Sequence, residues 1–492
     1  MVVLEAGGAR PAPALRLRTW GFRLALVGVL ALAAAVRLHW IGLGSLDIDE
    51  AFALWVARHP LRGIWPVLAR LDDHPPLYYL ALHAWVRVFG DTPVMLRMLS
   101  VAAGVLTVAL ACALGRLAGG RALGVVAALL VALAPDLVRW SQEARMYALE
   151  ASALTGATVA AATLLAGDGR SRAAWMGYVG AASAAVWTDY SALLFPVAMA
   201  VVLVWIAWTL PPAARAPLAR RWALAHLAIA VLCAPVLVLL AQQTAGGTVV
   251  AWYALNPYAP AAVALAALLL LVLGRAAWPG DPRWVALTTG LWVVPIACLM
   301  GLSAVAPVFV KRAYLWTDVP LGLALGAALL RVRAPALRLT LAAAIAVGTA
   351  AGLAAHYRND LAGDALRGWD RAAAYVAARA RAGDLLLLYV PYVQPAFDYY
   401  SARYRLSIDE RGVPVDFGGG RTLFPPLGRA GTARVRALLA GRSRVWLVHG
   451  MYPSAAPILD VLGAQGHLID RRTVTPALTI YLYDMDSARP SK

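Results

Sequence analysis

Residues 24–50 read LALVGVLALAAAVRLHWIGLGSLDIDE. The first part is an apolar run of the length that crosses a membrane as a helix, which is about 20 residues. Three carboxylates follow it at once, on Asp47, Asp49 and Glu50. Ionisable groups beside a membrane are costly without water or partners, so they indicate a functional site. Carboxylates can act as general bases or as ligands of divalent metals.

The rest of the chain continues the membrane pattern. Of its 492 residues, 61% are hydrophobic and 14% are charged, whereas soluble domains are roughly 25% charged. Apolar runs recur as far as His356, but residues 357–492 carry charges, Gly and Pro at ordinary density. We therefore predict a polytopic α-helical membrane protein, with a transmembrane domain over 1–356 and a small α/β domain over 357–492.

The net charge of +18 does not indicate nucleic-acid binding. Most basic residues are arginines in short loops between apolar runs, and such loops are cytoplasmic in membrane proteins. The first apolar run lacks a signal-peptide cleavage pattern, so we expect it to be an anchor. The cysteines Cys112, Cys233 and Cys298 lie within apolar runs, which predicts packing residues rather than disulfides.

The alternation of arginine-rich and arginine-poor loops predicts eleven transmembrane helices. An odd number of crossings gives a cytoplasmic N-terminus and an extracytoplasmic C-terminal domain. The first outer loop, 43–93, should contain short helices over 51–57 and 61–70 and an amphipathic helix from His74 to Gly90 at the membrane surface. The predicted spans are about 22–42, 94–115, 122–139, 147–166, 173–188, 192–210, 222–242, 259–274, 284–305, 319–331 and 338–356.

The C-terminal domain alternates helical and strand patterns, which predicts a small parallel or mixed sheet with helices on it. The triple glycine at 418–420 lacks the strand–turn–helix context of a nucleotide site. The domain could position the acceptor or cap a cleft, or it could be a stabilising lid. The predicted pairs are helix 370–382 with strand 385–390, helix 432–440 with strand 445–449, and helix 458–465 with strand 478–483.

This topology brings unusual polar residues to the outer side of the membrane. Carboxylates and cations on one face indicate a cleft for a charged amphiphile, and a lipid phosphate would satisfy the cations. Besides Asp49 and Glu50, which are the catalytic candidates, the candidate substrate-binding residues are Asp47, His74, Tyr78, Glu143, Arg145, Tyr147, Asp189, Tyr190, Lys311, Arg312 and Tyr314.

Each of these residues also has a structural interpretation. Asp47 could be a helix N-cap, followed by Asp49 and Glu50 as first-turn acids that the helix dipole favours. Lys311 and Arg312 could be a snorkelling pair at a helix end. The coincidence of so many polar groups on one face is what favours a function.

The order of the motifs resembles that of C-type (GT-C) membrane glycosyltransferases. Residues 45–51, SLDIDEA, resemble the acidic motif in the first outer loop of that family. The closer likeness is to the branch of protein O-mannosyltransferases and bacterial lipid A aminoarabinose transferases, which is glycosyltransferase family 39-like. Further likenesses are HPPLYY at 74–79, SQEARMY at 141–147, DY at 189–190, PVFVKRAY at 307–314, where Ala313 interrupts the usual Arg-Tyr pair, and WDRAA at 369–373.

The resemblance implies transfer of a hexose or pentose from a polyprenyl-phosphate carrier to a cell-envelope acceptor. The acceptor could be a lipid, a glycan or a protein, on the outer face of a bacterial inner membrane. The resemblance does not supply the sugar, the acceptor, the carrier length or the oligomeric state. The alternative is a transporter or flippase of polyprenyl-linked sugars, although transporters more often have internal repeats and polar groups in the middle of their helices.

For such a transferase we expect Asp49 to be the base, or to orient the acceptor, with Glu50 beside it. Arg312 and Lys311, with His74 or Arg145, would neutralise the leaving phosphate. A single displacement would invert the anomeric centre. Asp47 and Asp49 could hold Mg²⁺ or Mn²⁺, but we expect no obligatory metal because relatives with a plain Asp-Glu motif need not use one.

Overall fold

The computed structural model describes residues 19–245, 258–305, 308–361, 367–419, 425–450 and 454–486. A helical domain is followed by a small α/β domain. The helices of the first domain are α1 Thr19–Leu38, α2 Ile48–Ala57, α3 Leu61–Leu71, α4 Leu77–Phe89, α5 Pro93–Leu133, α6 Pro135–Ser141, α7 Tyr147–Ala166, α8 Arg172–Thr188, α9 Leu194–Trp208, α10 Pro212–Ala245, α11 Ala259–Ala277, α12 Pro282–Leu302, α13 Asp318–Arg331 and α14 Pro335–Ala355.

Nine helical segments of the described chain are long and apolar enough to cross a membrane. One of them, α5, has non-helical backbone at Gly119 and Gly120, where Gly120 has a φ of 84°. That turn separates two of the predicted spans. The 17-residue α8 corresponds to another, although it is slightly shorter than the nine. The nine segments, the second half of α5 and α8 together account for the eleven predicted helices.

One predicted span, 122–139, is interrupted in the structure. Helix α5 ends at Leu133, Ala134 has an extended ψ of 116°, and α6 starts at Pro135. A proline disfavours helical backbone at the residue before it and lacks an N–H donor, so the break follows from Pro135. The candidate residues of the second outer loop therefore follow the short helix α6 and do not directly follow a membrane-spanning helix.

The two halves of α5 approach closely through small residues. A Cβ atom on Gly124 would lie 2.8 Å from the carbonyl oxygen of Cys112, and one on Gly115 would lie 2.8 Å from that of Leu123. Small residues commonly allow such close helix packing in membrane proteins. The same helix packs against α1, α7 and α13, so α5 is the centre of the helical domain.

The first outer loop contains the three short helices that the sequence predicts, α2, α3 and α4. Helix α4 buries Tyr78, Tyr79, Leu82 and His83 against the protein. Its predicted apolar face remains only partly covered, and Val88 is 73% exposed. An uncovered apolar face is what a helix at the membrane surface requires, and that location stays a prediction.

The C-terminal domain has a five-stranded mixed sheet in the order β2-β1-β3-β5-β4, with β2, β1 and β3 parallel. The three predicted helix–strand pairs are confirmed. The sequence did not predict α16, β2 or β4. The strands β2 and β4 are polar and partly exposed, so they lack the apolar pattern of the predicted strands. The elements are α15 Trp369–Ala377, β1 Leu385–Tyr389, α16 Gln394–Arg403, β2 Asp409–Val413, α17 Gly428–Leu439, β3 Arg444–Gly450, α18 Ala456–Gly463, β4 His467–Thr475 and β5 Leu478–Asp484.

The C-terminal domain rests on the first outer loop. The Ser45 hydroxyl accepts hydrogen bonds from the backbone N–H groups of Gly368 (2.7 Å) and Trp369 (3.0 Å). The Leu46 N–H donates to the Tyr400 hydroxyl at 2.8 Å. These bonds bracket the acidic segment that begins at Asp47, so they fix the domain next to the candidate site.

Candidate active site

The first and last acids of the segment 47–50, Asp47 and Glu50, stabilise the start of α2. Asp47 Oδ1 accepts from the Glu50 N–H at 2.7 Å, and Glu50 Oε2 accepts from the Asp47 N–H at 3.1 Å. This reciprocal pair is a capping box, which satisfies N–H groups that a helix start leaves unpaired. Burial, followed by the charges of Glu50, Glu143 and Asp49, raises the pKa of Asp47 well above its usual range. The structural interpretation of Asp47 as an N-cap is confirmed.

Glu50 is occupied by a buried ion pair. Arg97 Nε donates to Glu50 Oε1 at 2.8 Å and Arg97 Nη2 donates to Oε2 at 2.7 Å, and both side chains are fully buried. The Ala144 N–H also donates to Oε1 at 2.9 Å. Burial alone would raise the pKa of Glu50, but the charge and hydrogen bonds of Arg97 lower it to about 2. Both oxygens of Glu50 are thus engaged in a buried structural contact, which does not favour the predicted catalytic role; that role stays a prediction.

Asp49 differs from both neighbours because its side chain is partly exposed. The Tyr392 hydroxyl, which belongs to the C-terminal domain, donates to Asp49 Oδ1 at 2.7 Å. Among the described residues Tyr392 alone donates to this carboxylate. Of the three acids in this segment, Asp49 is the one whose side chain is partly exposed, and the structure records no hydrogen bond from a described residue to its Oδ2.

Three cationic residues surround the ring of Tyr147, which is buried at the start of α7. The guanidinium carbons of Arg145 and Arg312 each lie 5.8 Å from the ring centroid. The imidazole centroid of His74 lies 6.4 Å away. Arg145 Nη1 also approaches the backbone oxygen of Asp49 at 3.5 Å. Residues from outer loops that are far apart in the chain therefore form one cationic cluster beside Asp49.

The charge of His74 is maintained by two neighbouring acids. His74 Nδ1 lies 3.0 Å from Asp72 Oδ1 and 2.8 Å from Asp73 Oδ1. Burial alone would lower the pKa of His74, but the charges of Asp73 and Asp72 raise it well above its usual range. Burial alone would also raise the pKa of Asp73. The positive charges of His74, Arg145 and Arg312 outweigh this effect and lower that pKa to about 2. The two carboxylates therefore favour the protonated imidazole.

The structure also tests where a metal ion would fit. The described residues contain one group of three metal-ligating side chains, Asp72, Asp73 and His74, whose ligand atoms lie within 4.8 Å of one another. A metal ligand must be a neutral imidazole, so a metal ion bound here would displace the proton of His74. The sequence suggested Asp47 and Asp49 as a pair of metal ligands. In the structure Asp47 caps α2, and Asp49 accepts a hydrogen bond from Tyr392. Asp72, Asp73 and His74 are thus the described group that could hold a metal ion, and metal use stays a prediction.

The adjacent cations Lys311 and Arg312 have different surroundings. Lys311 Nζ is 2.6 Å from Asp318 Oδ1 and 3.7 Å from Asp136 Oδ2. Its ammonium also lies 4.9 Å from the ring of Tyr314. Arg312 instead faces Tyr147. The structure thus brings Arg312 to the cationic cluster, and it leaves Lys311 and Tyr314 in a separate ion-pair network.

The other candidate substrate-binding residues have separate surroundings. Tyr78 is fully buried in α4, which argues against contact with a substrate. Glu143 lies close enough to Asp47 to influence its charge. Asp189 accepts from the Ser191 N–H at 2.8 Å, and Tyr190 donates to the side-chain oxygen of Gln243 at 2.9 Å.

Glu150 is a candidate site residue that sequence reasoning missed. It lies one helical turn after Tyr147 and is fully buried, and Ser191 donates to its Oε1 at 2.7 Å. Its Oε2 has no hydrogen-bond partner in the structure. Asp189 approaches the same serine, so two carboxylates meet there. The sequence did contain a signal for Glu150, because an ionisable residue within an apolar run indicates a functional site.

Comparison with known proteins agrees with this architecture. Residues 73–239 match the family model of dolichyl-phosphate-mannose-protein mannosyltransferases. The fold is similar to that of ArnT from Cupriavidus metallidurans, with a TM-score of 0.63 and 14% identity over 95% of this chain and 99% of that chain. The chain therefore has the GT-C fold. A search of curated protein sequences finds no significant match.

Other GT-C structures share the fold at similarly low identity. ArnT from the same organism bound to undecaprenyl phosphate has a TM-score of 0.61 and 14% identity, over 96% of this chain and 100% of that chain. The archaeal oligosaccharyltransferase AglB from Archaeoglobus fulgidus, in complex with an inhibitory peptide and a dolichol-phosphate, has a TM-score of 0.55 and 11% identity, over 87% and 70%. The predicted resemblance and fold class are confirmed, and the protein is a multi-pass membrane protein.

Proposed function

We propose that this GT-C protein transfers a sugar from a polyprenyl-phosphate donor to a cell-envelope acceptor on the outer face of a bacterial inner membrane. In this proposal the N-terminus is cytoplasmic and the C-terminal domain is extracytoplasmic. The observation that carries the proposal is the position of one partly exposed carboxylate, Asp49, beside a cluster of three cations around Tyr147.

The cationic cluster suits a donor phosphate. Arg145, Arg312 and His74 present charged donors from three outer segments, and guanidinium groups bind phosphate oxygens strongly. Negative charge on the phosphate grows as its bond to the sugar breaks, so fixed cations stabilise the transition state more than the ground state. The ArnT structure with undecaprenyl phosphate supports a lipid phosphate as the ligand class.

Asp49 is suited to be the base. The acceptor hydroxyl would give its proton to the free carboxylate oxygen while its oxygen attacks the anomeric carbon. The bond between that carbon and the phosphate oxygen breaks, and the bonding electrons leave with the polyprenyl phosphate. Attack opposite the leaving group inverts the anomeric configuration. The cations perform the charge neutralisation that a divalent metal supplies elsewhere, so we propose transfer without an obligatory metal.

The test is sugar transfer by purified protein in nanodiscs, with a panel of radiolabelled polyprenyl-phosphate sugars and a membrane extract as acceptor. Asp49→Asn should lower transfer by about 10²–10⁴-fold, the usual contribution of a general base. Asp91→Asn is the matched control, because Asp91 lies in the same loop but forms a surface ion pair with Arg58. It should retain wild-type activity.

Three outcomes would contradict the proposal. A well-folded Asp49→Asn protein with full activity would exclude this carboxylate as the base. If no donor were consumed while lipid-linked sugar crossed the membrane of proteoliposomes, the protein would be a transporter. A product with retained anomeric configuration would contradict the single displacement.

A further inference from the structure

We propose that Tyr392 of the C-terminal domain is a positioning residue for the Asp49 carboxylate, so that the domain is part of the active site. This inference rests on the proposed function of Asp49 as the base. It also argues against a domain that is only a stabilising lid, because such a lid needs no contact with that carboxylate.

The fold brings Tyr392 to this place through the sheet. Tyr392 lies in the short 3₁₀ turn Pro391–Val393, just beyond the carboxyl end of β1. That strand is flanked by the parallel strands β2 and β3. In open sheets with parallel strands, ligands bind beyond the carboxyl ends of those strands. The edge that faces the first outer loop is thus the one where a functional side chain is expected.

The ring of Tyr392 is held rigidly by aromatic neighbours from both domains. Its centroid is 5.6 Å from that of Phe52 in α2 and 6.3 Å from that of Phe417 in the C-terminal domain. The residue is only 6% exposed. Because packing fixes the ring, the direction of its hydroxyl is fixed too, and that hydroxyl lies 2.7 Å from Asp49 Oδ1.

The chemistry of the contact favours positioning over proton abstraction. Burial, and next the charge of Asp49, raise the pKa of Tyr392 well above its usual range. The phenol therefore keeps its proton and can only donate to the carboxylate. By occupying Oδ1 it holds the plane of the carboxylate and leaves Oδ2 as the oxygen that receives the acceptor proton. A base must be held at hydrogen-bond distance from the proton that it takes.

The test uses the full-length protein in nanodiscs with the donor that the transfer assay identifies. Tyr392→Phe removes only the hydroxyl and keeps the aromatic packing. We expect kcat to fall about 10–100-fold, since a hydrogen bond to a charged group contributes roughly 1.5–3 kcal/mol. The KM for the donor should not change, because the donor phosphate contacts the cations and not Asp49.

Tyr399→Phe is the matched control. Tyr399 lies in the same domain, and its hydroxyl donates to the backbone oxygen of Asp91 in the first outer loop at 2.8 Å. This variant loses an interdomain hydroxyl without any effect on Asp49, so its kcat should be that of the wild type. In a background of Asp49→Asn, adding Tyr392→Phe should cause no further loss.

A wild-type kcat for Tyr392→Phe, or an equal loss in Tyr399→Phe, would overturn the inference. So would a full additional loss in the double variant, which would mean that Tyr392 acts independently of Asp49. These failures differ from failure of the proposed function, which would show as activity retained in Asp49→Asn itself.

Discussion

At the residue scale, three neighbouring acids have three different roles because they have different partners. Asp47 caps α2, Glu50 is paired with Arg97 in the protein interior, and Asp49 faces the cationic cluster and Tyr392. Their order in the sequence is typical of an acidic site, but it does not distinguish them. Glu50 gains its partner from 47 positions away and Asp49 from 343 positions away.

The Arg97–Glu50 pair yields a prediction about stability. Arg97→Gln should lower the free energy of unfolding by about 3–5 kcal/mol, because it leaves a buried carboxylate without its charge partner. Thermal unfolding in detergent measures this effect. Arg87→Gln on the exposed side of α4 is the control, and it should unfold like the wild type. Equal unfolding temperatures for the two variants would contradict the prediction.

The same pair gives that stability a pH dependence. The pKa of Glu50 is lowered from 4.5 to about 2, so the folded state favours the ionised carboxylate. Its contribution is complete above the unfolded pKa of 4.5, and it is lost as the pH falls through the folded pKa near 2. Arg97→Gln should remove this acid-dependent loss along with the stability itself.

At the element scale, the 3₁₀ segment Lys311–Thr317 separates two cations that are adjacent in the chain. A 3₁₀ helix has about three residues per turn, so neighbouring side chains point in well-separated directions. Lys311 reaches Asp318, and Arg312 reaches Tyr147. The sequence predicted that Lys311 and Arg312 bind the phosphate together. In the structure only Arg312 lies in the cationic cluster.

This separation predicts unequal effects of two matched substitutions. Arg312→Gln should raise the KM for the donor by about 10–100-fold, through loss of a charge-assisted bond to phosphate. Lys311→Gln should leave the donor KM unchanged and lower thermal stability, because it breaks the bond to Asp318. Transfer rates measured at varied donor concentration give the donor KM of each variant. A similar rise in donor KM for both variants would show that both cations bind the phosphate.

At the scale of the whole molecule, the C-terminal domain is docked on the first outer loop through Ser45, Leu46 and Asp49. The loop and the domain must therefore lie on the same side of the membrane. The proposed function requires that side to be the outer one, where the acceptor is.

Cysteine labelling in intact cells tests this orientation. The three native cysteines are unpaired, and Cys112 and Cys233 are buried, so a variant with all three replaced is a suitable background. Ala430→Cys in α17 should react with a membrane-impermeant maleimide in intact spheroplasts. Ala213→Cys at the start of α10 should react only after permeabilisation, and both sites are exposed. The reverse pattern would contradict the proposed topology.

The amino-acid sequence by itself determined the membrane-spanning helices, the three helices of the first outer loop, the helix–strand pairs and the resemblance to GT-C glycosyltransferases. These features depend on local hydropathy and on short motifs, which a sequence displays directly. Element ends and the polar strands β2 and β4 were less predictable, because proline breaks and sheet pairing decide them.

Only the tertiary structure decided which polar residues form the site. Arg97 and Tyr392 reach adjacent acids of α2, and Glu150 meets Asp189 at Ser191. No local pattern contains these pairs, since their members come from different helices and domains. A buried charge must have a partner, and the fold alone determines which side chain is near enough to be that partner.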